Sequence, residues 1–195
     1  HIPCYVHPQG VWPRYAIDAK SARQIGVPGE VFVANPHFVY HRDALEILPG
    51  VTLSGEIPVE AAGPEPSQGR FYRDISGRVP DTFADEQGLI LRDGDSVAVL
   101  VGCSHRGIES NVRAAMRVAG TNRLSLLAGG MHLGNADEER MDAVASFLAA
   151  AEIDRVVCCH CTGERAFRYL SERLGSRVVQ GQAGMSWSRG EDGGR

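Results

Sequence analysis

Apolar positions follow two regimes along the 195-residue chain. Up to about Gly94 they come in short runs, CYV, EVFVA, FVYH and VTLSGEIPV, each soon interrupted by Pro or Gly. Such runs, rich in β-branched and aromatic residues, predict short strands, and LPG and the stretch from Ala61 to Gly69 predict turns and loops. Trp12 to Ile25 is the one helix expected in this half, stopped by Gly26.

From Asp95 the pattern becomes an alternation of apolar runs and helical periodicity. SVAVLVGC is Val-rich along its whole length, as a buried strand is. Ile108, Val112, Ala115, Met116 and Ala119 then recur at helical spacing, with Gly120 as the stop. RLSLLAGG predicts the next strand. Asn135 is the candidate N-cap of a second helix, whose first turn holds Asp137, Glu138 and Glu139, where the helix dipole favours negative charge. DRVVCCH predicts a third strand, and TGERAFRYLSERLG a third helix capped by Thr162 and stopped by Gly175. RVVQGQAGM predicts a last strand. Residues 186–195 are polar and expected to form a flexible tail, which leaves a single α/β domain over residues 1–185.

Composition narrows the function classes. A formal net charge of −4 offers no concentrated basic face, so nucleic acid is not an expected partner and a nuclease is disfavoured. Lys20 is the only lysine, a bias of composition before it is a functional sign. No apolar run reaches bilayer length, and no membrane association is expected. Cys4, Cys103, Cys158, Cys159 and Cys161 make an odd, irregular set, which points to a reducing compartment and a cytoplasmic protein.

The chemistry is concentrated where strands end. Three times an apolar run closes on a histidine and a helix begins: GCSHRG with His105, GGMHLG with His132 and CCHCTG with His160, 27 and 28 residues apart. Carboxyl ends of neighbouring strands share one edge of a layered α/β sheet, so these imidazoles can converge there. Three protein ligands and an open position make a catalytic zinc site. Glycines beside each histidine leave room for a crowded site. Thr162 and Gly163 open a helix whose N-terminus can receive an anion. His7 and Arg14, in CYVHPQGVWPRY, are further candidates for binding an anionic substrate, and a structural use fits them equally well. CCHC lacks the C-x-x-C spacing of a structural zinc site; Cys158 and Cys159 read as buried apolar thiols, and Cys103 and Cys161 as neighbours of the site rather than its ligands. Asp81, Asp85 and Glu86 read as a solvated turn. His37 and His41 read as structural. His1, with its terminal amine, is a copper chelator in principle, with no other support.

GCSHRGI, GGMHL and HCTG, in this order and with these gaps, resemble motifs of the metallo-β-lactamase superfamily, and in particular metal-dependent hydrolases similar to dihydropterin ribofuranosylaminobenzene phosphate synthase. YVHPQGVWPRY, LSGEIP and PDTFADEQGLIL resemble other segments of that branch, so the similarity runs from about Ile2 to Met185. The resemblance implies a four-layer αββα sandwich with one or two divalent metal ions, commonly zinc, at the edge between two sheets. By position, His105 matches the ligand of the third motif, and His160 the late histidine on the second metal. His132 falls where many relatives carry a bridging Asp. The H-x-H-x-D-H motif that supplies most ligands is absent, as is the Asp that would be the general base. The expectation is therefore a sandwich incomplete at its N-terminus, with exposed apolar surface covered by a homodimer or a complementing N-terminal segment. The function implied is hydrolysis of a small anionic substrate, a phosphorylated one included, through metal-bound hydroxide. The alternative is a non-catalytic truncated remnant or subunit of a split metallo-β-lactamase-fold protein.

Overall fold

The structure, a computed structural model, describes residues 2–33, 36–59, 63–64 and 68–188. Seven strands form its central sheet: β1 (Leu45–Leu48), β2 (Val51–Leu53), β3 (Leu89–Asp93), β4 (Ser96–Val101), β5 (Leu126–Gly130), β6 (Val156–Cys159) and β7 (Val178–Gln180). Their spatial order is their chain order, with no strand skipped. β1 to β4 pair antiparallel; tight turns join β1 to β2 and β3 to β4, while the long segment 54–88 joins β2 to β3. β4 to β7 pair parallel, so each step needs a crossover, supplied by α1 (Ile108–Ala119), α2 (Glu138–Ala150) and α3 (Glu164–Leu174). Crossovers of one hand that always advance in the same direction place their helices on the same face of the sheet.

That face is the core. Val97 and Val99 of β4, Leu127 of β5, Val156 and Cys158 of β6 and Val178 of β7 pack against Ile108, Val112, Met141, Leu148, Ala166 and Leu170 of the helices. Strand alternation sends Leu100, Ala128, Val157 and Cys159 to the opposite face, where they line an apolar groove with Met185 and Trp187. The other described strands form small sheets: Cys4–Val6 with Phe38–Tyr40, Arg123–Leu124 with Glu152–Ile153, and Tyr15–Ile17 between Ala22–Gln24 and Phe71–Tyr72. The α/β class expected from the motifs is thus realised as a mixed architecture around one large sheet.

The second half of the chain follows its sequence pattern closely, with two changes in capping. Asp137, not Asn135, caps α2, because its carboxylate accepts the Arg140 N–H at 2.8 Å. Thr162 does not cap α3; its hydroxyl is taken by the Met131 N–H at 3.1 Å, and α3 starts from Gly163 without a side-chain cap. The first half departs further. Trp12 to Ile25 is not a helix but the strands Tyr15–Ile17 and Ala22–Gln24, preceded by a 3-10 turn at Pro8–Val11. The apolar side chains there sit on a strand ladder that pairs with residues more than fifty positions away, which local spacing does not reveal. Glu30 to Val33 of EVFVA form a short helix, Gly29–Val33, instead of a strand. His1, Ala61 and most of the polar tail lie outside the described residues.

Leu148 is completely buried between α2 and the sheet. Leu148→Ala is expected to lower unfolding free energy by about 2–5 kcal/mol, read as a lower urea midpoint at unchanged slope.

Candidate metal centre

The register of the parallel strands brings the three histidine-bearing turns together. Val101 of β4 lies opposite Gly129 of β5, and Gly129 opposite Cys158 of β6. All three strands therefore end on one line, and the chain turns within a few residues of it. The turns are then laced to one another. Gly130 N–H donates to the Gly102 carbonyl at 2.8 Å, Gly134 N–H to the Cys161 carbonyl at 3.1 Å, and the Ser104 hydroxyl to the Gly130 carbonyl at 2.8 Å. Gly129 and Gly130 make this approach possible. A Cβ on Gly129, at φ +145°, would stand 2.2 Å from the Val101 carbonyl oxygen, and one on Gly130 would stand 2.6 Å from Cys161 Sγ.

Five non-glycine residues among those described adopt left-handed backbone: Gln68, Phe83, Ser104, His132 and His160. All five belong to this one site or contact it. Each such conformation costs roughly 1–3 kcal/mol and persists only where its surroundings impose it. Here the imposed geometry turns His132 and His160 toward the laced turns.

Two of the histidines meet each other, and the third meets a cysteine. The rings of His105 and His132 are 4.1 Å apart between centroids. Gln68 Oε1 meets His132 Nε2 at 3.1 Å. Cys103 Sγ is 3.5 Å from His160 Nδ1, and Cys161 Sγ points to the Cys103 carbonyl at 3.5 Å. The thiol of Cys103 is held far below the usual thiol range by hydrogen bonding with Cys161, then with His105 and His132; the same contact pushes Cys161 up. His105 Nδ1 and His132 Nδ1 are buried without a hydrogen bond of normal geometry. A cleft of about 510 Å³ opens on this cluster, lined by His132, His160, Cys161, Gly163, Asn135 and Arg140 among others.

His105 is fixed by a stack. Its ring lies on Phe83 with centroids 3.8 Å apart and an interplanar angle of 5°. The Arg14 guanidinium in turn lies over the Phe83 ring, 4.4 Å from its centroid. Phe71 closes the edge, 5.2 Å from His105 at 89°. Arg14 is itself gripped by Asp81 and, at 2.5 Å, by Asp85, and Arg73 meets the same two carboxylates at 2.9 and 3.3 Å. Burial works against ionisation of Asp85, but the Arg14 guanidinium, with Arg73 behind it, outweighs it and holds the carboxyl below its ordinary pKa. Glu86 accepts the backbone N–H groups of His105 at 2.5 Å and Arg106 at 2.8 Å, and Asn111 Nδ2 at 3.2 Å, at the mouth of α1.

The acidic group Asp81, Asp85 and Glu86 is therefore not a solvated turn. Asp81 is wholly buried, and the three carboxylates anchor His105 from below. Arg14 is committed to this network, so an incoming anion would compete with Asp81 and Asp85 for it. His7 is buried, accepts the Gln9 N–H at 3.2 Å and faces Glu56 at 3.5 Å. Burial, only partly offset by Glu56, lowers its pKa below the usual imidazole value, so it is neutral at pH 7. Neither residue is among those lining the cleft; Gly163 is, while Thr162 braces Met131 from beneath. Cys158 is buried, which pushes its thiol up to about 12, as suits an inert apolar filler.

Cys103 and Cys161, read from sequence as bystanders, stand at the centre of the cluster. The signal was their place in the same short turns as His105 and His160, where a tight reversal leaves few directions for a side chain. Their ligand atoms and that of His160 lie within 4.8 Å of one another, the one such group of metal-ligating side chains among the described residues. Imidazoles with orphaned nitrogens and adjacent thiols fit a borderline-soft divalent ion.

The sheet thus passes from antiparallel into parallel pairing, with His-bearing turns laced at its carboxyl edge. The comparisons bear out the resemblance carried by the motifs. Over 93% of its length the chain superimposes, with a TM-score of 0.76 and 27% identity, on 68% of the crystal structure of a metal-dependent hydrolase of the β-lactamase superfamily. Over 141 residues, 70% of the chain, it is 33% identical to the 7,8-dihydropterin-6-methyl-4-(β-D-ribofuranosyl)-aminobenzene-5′-phosphate synthase of Methanocaldococcus jannaschii. The match spans 48% of that synthase, about half its length. No family profile matches the sequence.

The lowered pKa of Asp85 carries a pH signature. A carboxyl whose pKa falls on folding contributes stability above its unfolded value, lost as pH drops through the folded one. Between about pH 5 and about pH 3, spanning the ordinary Asp value near 3.9, the wild-type chain is expected to lose stability more steeply than Asp85→Asn. Parallel slopes in urea titrations across that range would contradict the network.

Proposed function

We propose that this chain carries a metal-dependent hydrolytic site for a small anionic substrate, with His105, His132 and His160 as the imidazoles that hold one or two divalent ions, zinc first among them. The observation that carries the reading is the convergence of three βα turns on one cleft, with orphaned ring nitrogens on two of the three histidines. A bound divalent ion supplies Lewis acidity and lowers the pKa of a coordinated water toward neutrality. The chain's own residues do the rest. Phe83 and Phe71 orient His105 and keep water from its faces. Glu86 fixes the turn that presents it. Arg140, forked onto Glu109 by two 2.6 Å bonds, places a guanidinium on the cleft wall near the opening turns of α2 and α3. A phosphorylated substrate suits that wall, and the similar synthase has a 5′-phosphate in its name.

The synthase name and the hydrolase title do not describe the same reaction, so hydrolysis here rests on the donor set and the cleft rather than on either relative. A small-molecule substrate suits the cleft volume of about 510 Å³. None of the described helices is long and apolar enough to cross a membrane, and five free cysteines suit a reducing compartment, for which we propose the cytoplasm. A second reading, a non-catalytic subunit lending histidines to an assembly or to a complementing N-terminal segment, draws on the 48% span of the synthase and the absent H-x-H-x-D-H motif.

Elemental analysis of the purified chain decides between them. Near-stoichiometric metal, lost in His160→Ala, together with turnover of bis(p-nitrophenyl) phosphate that a chelator abolishes and added zinc restores, is the expected result. A metal-free chain that persists as a dimer supports the subunit reading. Unchanged metal content in His160→Ala overturns the site.

A further inference from the structure

We propose that Cys103 and Cys161 are metal ligands in their own right, forming with His160 a Cys2His set that holds a thiophilic divalent ion and leaves a fourth position open to the cleft. The proposal rests on the reading of this cleft as a metal centre and goes beyond it by naming sulfur as the principal donor.

The spacing carries the argument. Zn–S and Zn–N bonds of about 2.3 and 2.0–2.1 Å put the donors of a tetrahedral ion roughly 3.5–3.8 Å apart. Cys103 Sγ and His160 Nδ1 are already 3.5 Å apart, and Cys161 Sγ lies within 4.8 Å of both. Small rotations of the thiol side chains complete the set without moving backbone.

The backbone is built for this meeting. His160 sits at φ +46°, a conformation that L residues adopt at a cost and that turns its ring toward Cys103 from the neighbouring βα turn. Gly130, in the strand between, keeps open the volume that Cys161 Sγ occupies. The cleft side of the set is formed by His160 and Cys161, with Gly134 and Asn135 beyond, so the open position faces the space a substrate would enter. The His105 and His132 rings, 4.1 Å apart, belong to the same laced turns as Cys103 and Met131.

The test uses cobalt as a spectroscopic probe on the full chain. Cobalt(II) added to the apo-protein is expected to give a sulfur-to-cobalt charge-transfer band in the near ultraviolet, saturating near one equivalent. Cys103→Ser and Cys161→Ser should each reduce that band severalfold, while Cys4→Ser, at an exposed position remote in sequence, leaves it intact. A measurement on the unmodified chain guards against variants that fail to fold: zinc should protect Cys103 and Cys161, but not Cys4, from iodoacetamide, mapped by peptide mass. Cobalt bound without a sulfur band, a band that survives both substitutions, or equal alkylation with and without zinc overturns the thiolate set while leaving the imidazole reading standing. Failure to bind cobalt at all overturns both.

Discussion

The site depends on one constraint: three parallel strands must end on the same line, and the turns that leave them must lie close enough to hydrogen-bond to one another. The register Val101–Gly129–Cys158 fixes the first condition. The Gly130–Gly102 and Gly134–Cys161 backbone bonds fix the second. Both conditions fail if the middle strand carries side chains at its end, because a Cβ on Gly129 or Gly130 would occupy space held by a carbonyl or a sulfur. The left-handed residues follow from the same crowding. Once the turns are laced, His132 and His160 have little choice of backbone angle, and the packed core under the sheet is what sustains the strain.

Much of this was legible in the chain because it is local. Each βα unit carries its strand, its turn and its helix within about thirty residues, and periodicity reports each directly. The meeting of the turns that carry His105, His132 and His160 followed from the layout alone, since strand ends in such a sheet share an edge. The ligand potential of Cys103 and Cys161 was harder to see. Alternation assigns faces to residues within a strand, but it stops where the strand stops, and both cysteines lie just past that point.

The support beneath His105 was not legible at all. Arg14 meets Asp81 and Asp85 across 67 and 71 residues of chain, and nothing in the spacing of PDTFADEQ distinguishes a solvated turn from a buried anchor. The same holds for the N-terminal strands, whose partners are distant and whose short apolar runs fit helix and strand alike. Long-range pairing wins over local pattern there because the small antiparallel sheet through Tyr15–Ile17 gives Phe71, edge-on to Phe83, a frame.

Charge explains why sulfur belongs in the site. A divalent ion in a partly buried cleft needs negative partners, or the cost of removing it from water goes uncompensated. His132 contributes no negative charge. The surrounding carboxylates are engaged elsewhere: Asp81 and Asp85 with Arg14 and Arg73, Glu86 with backbone N–H groups, Glu109 with Arg140, Glu56 with Arg106. Freeing any one of them would strand a buried guanidinium or undo the turn that presents His105. The two thiols are the remaining groups at the centre that can become anionic, and two thiolates balance a divalent charge. On this argument Cys103 and Cys161 make a carboxylate-poor site neutral by sulfur.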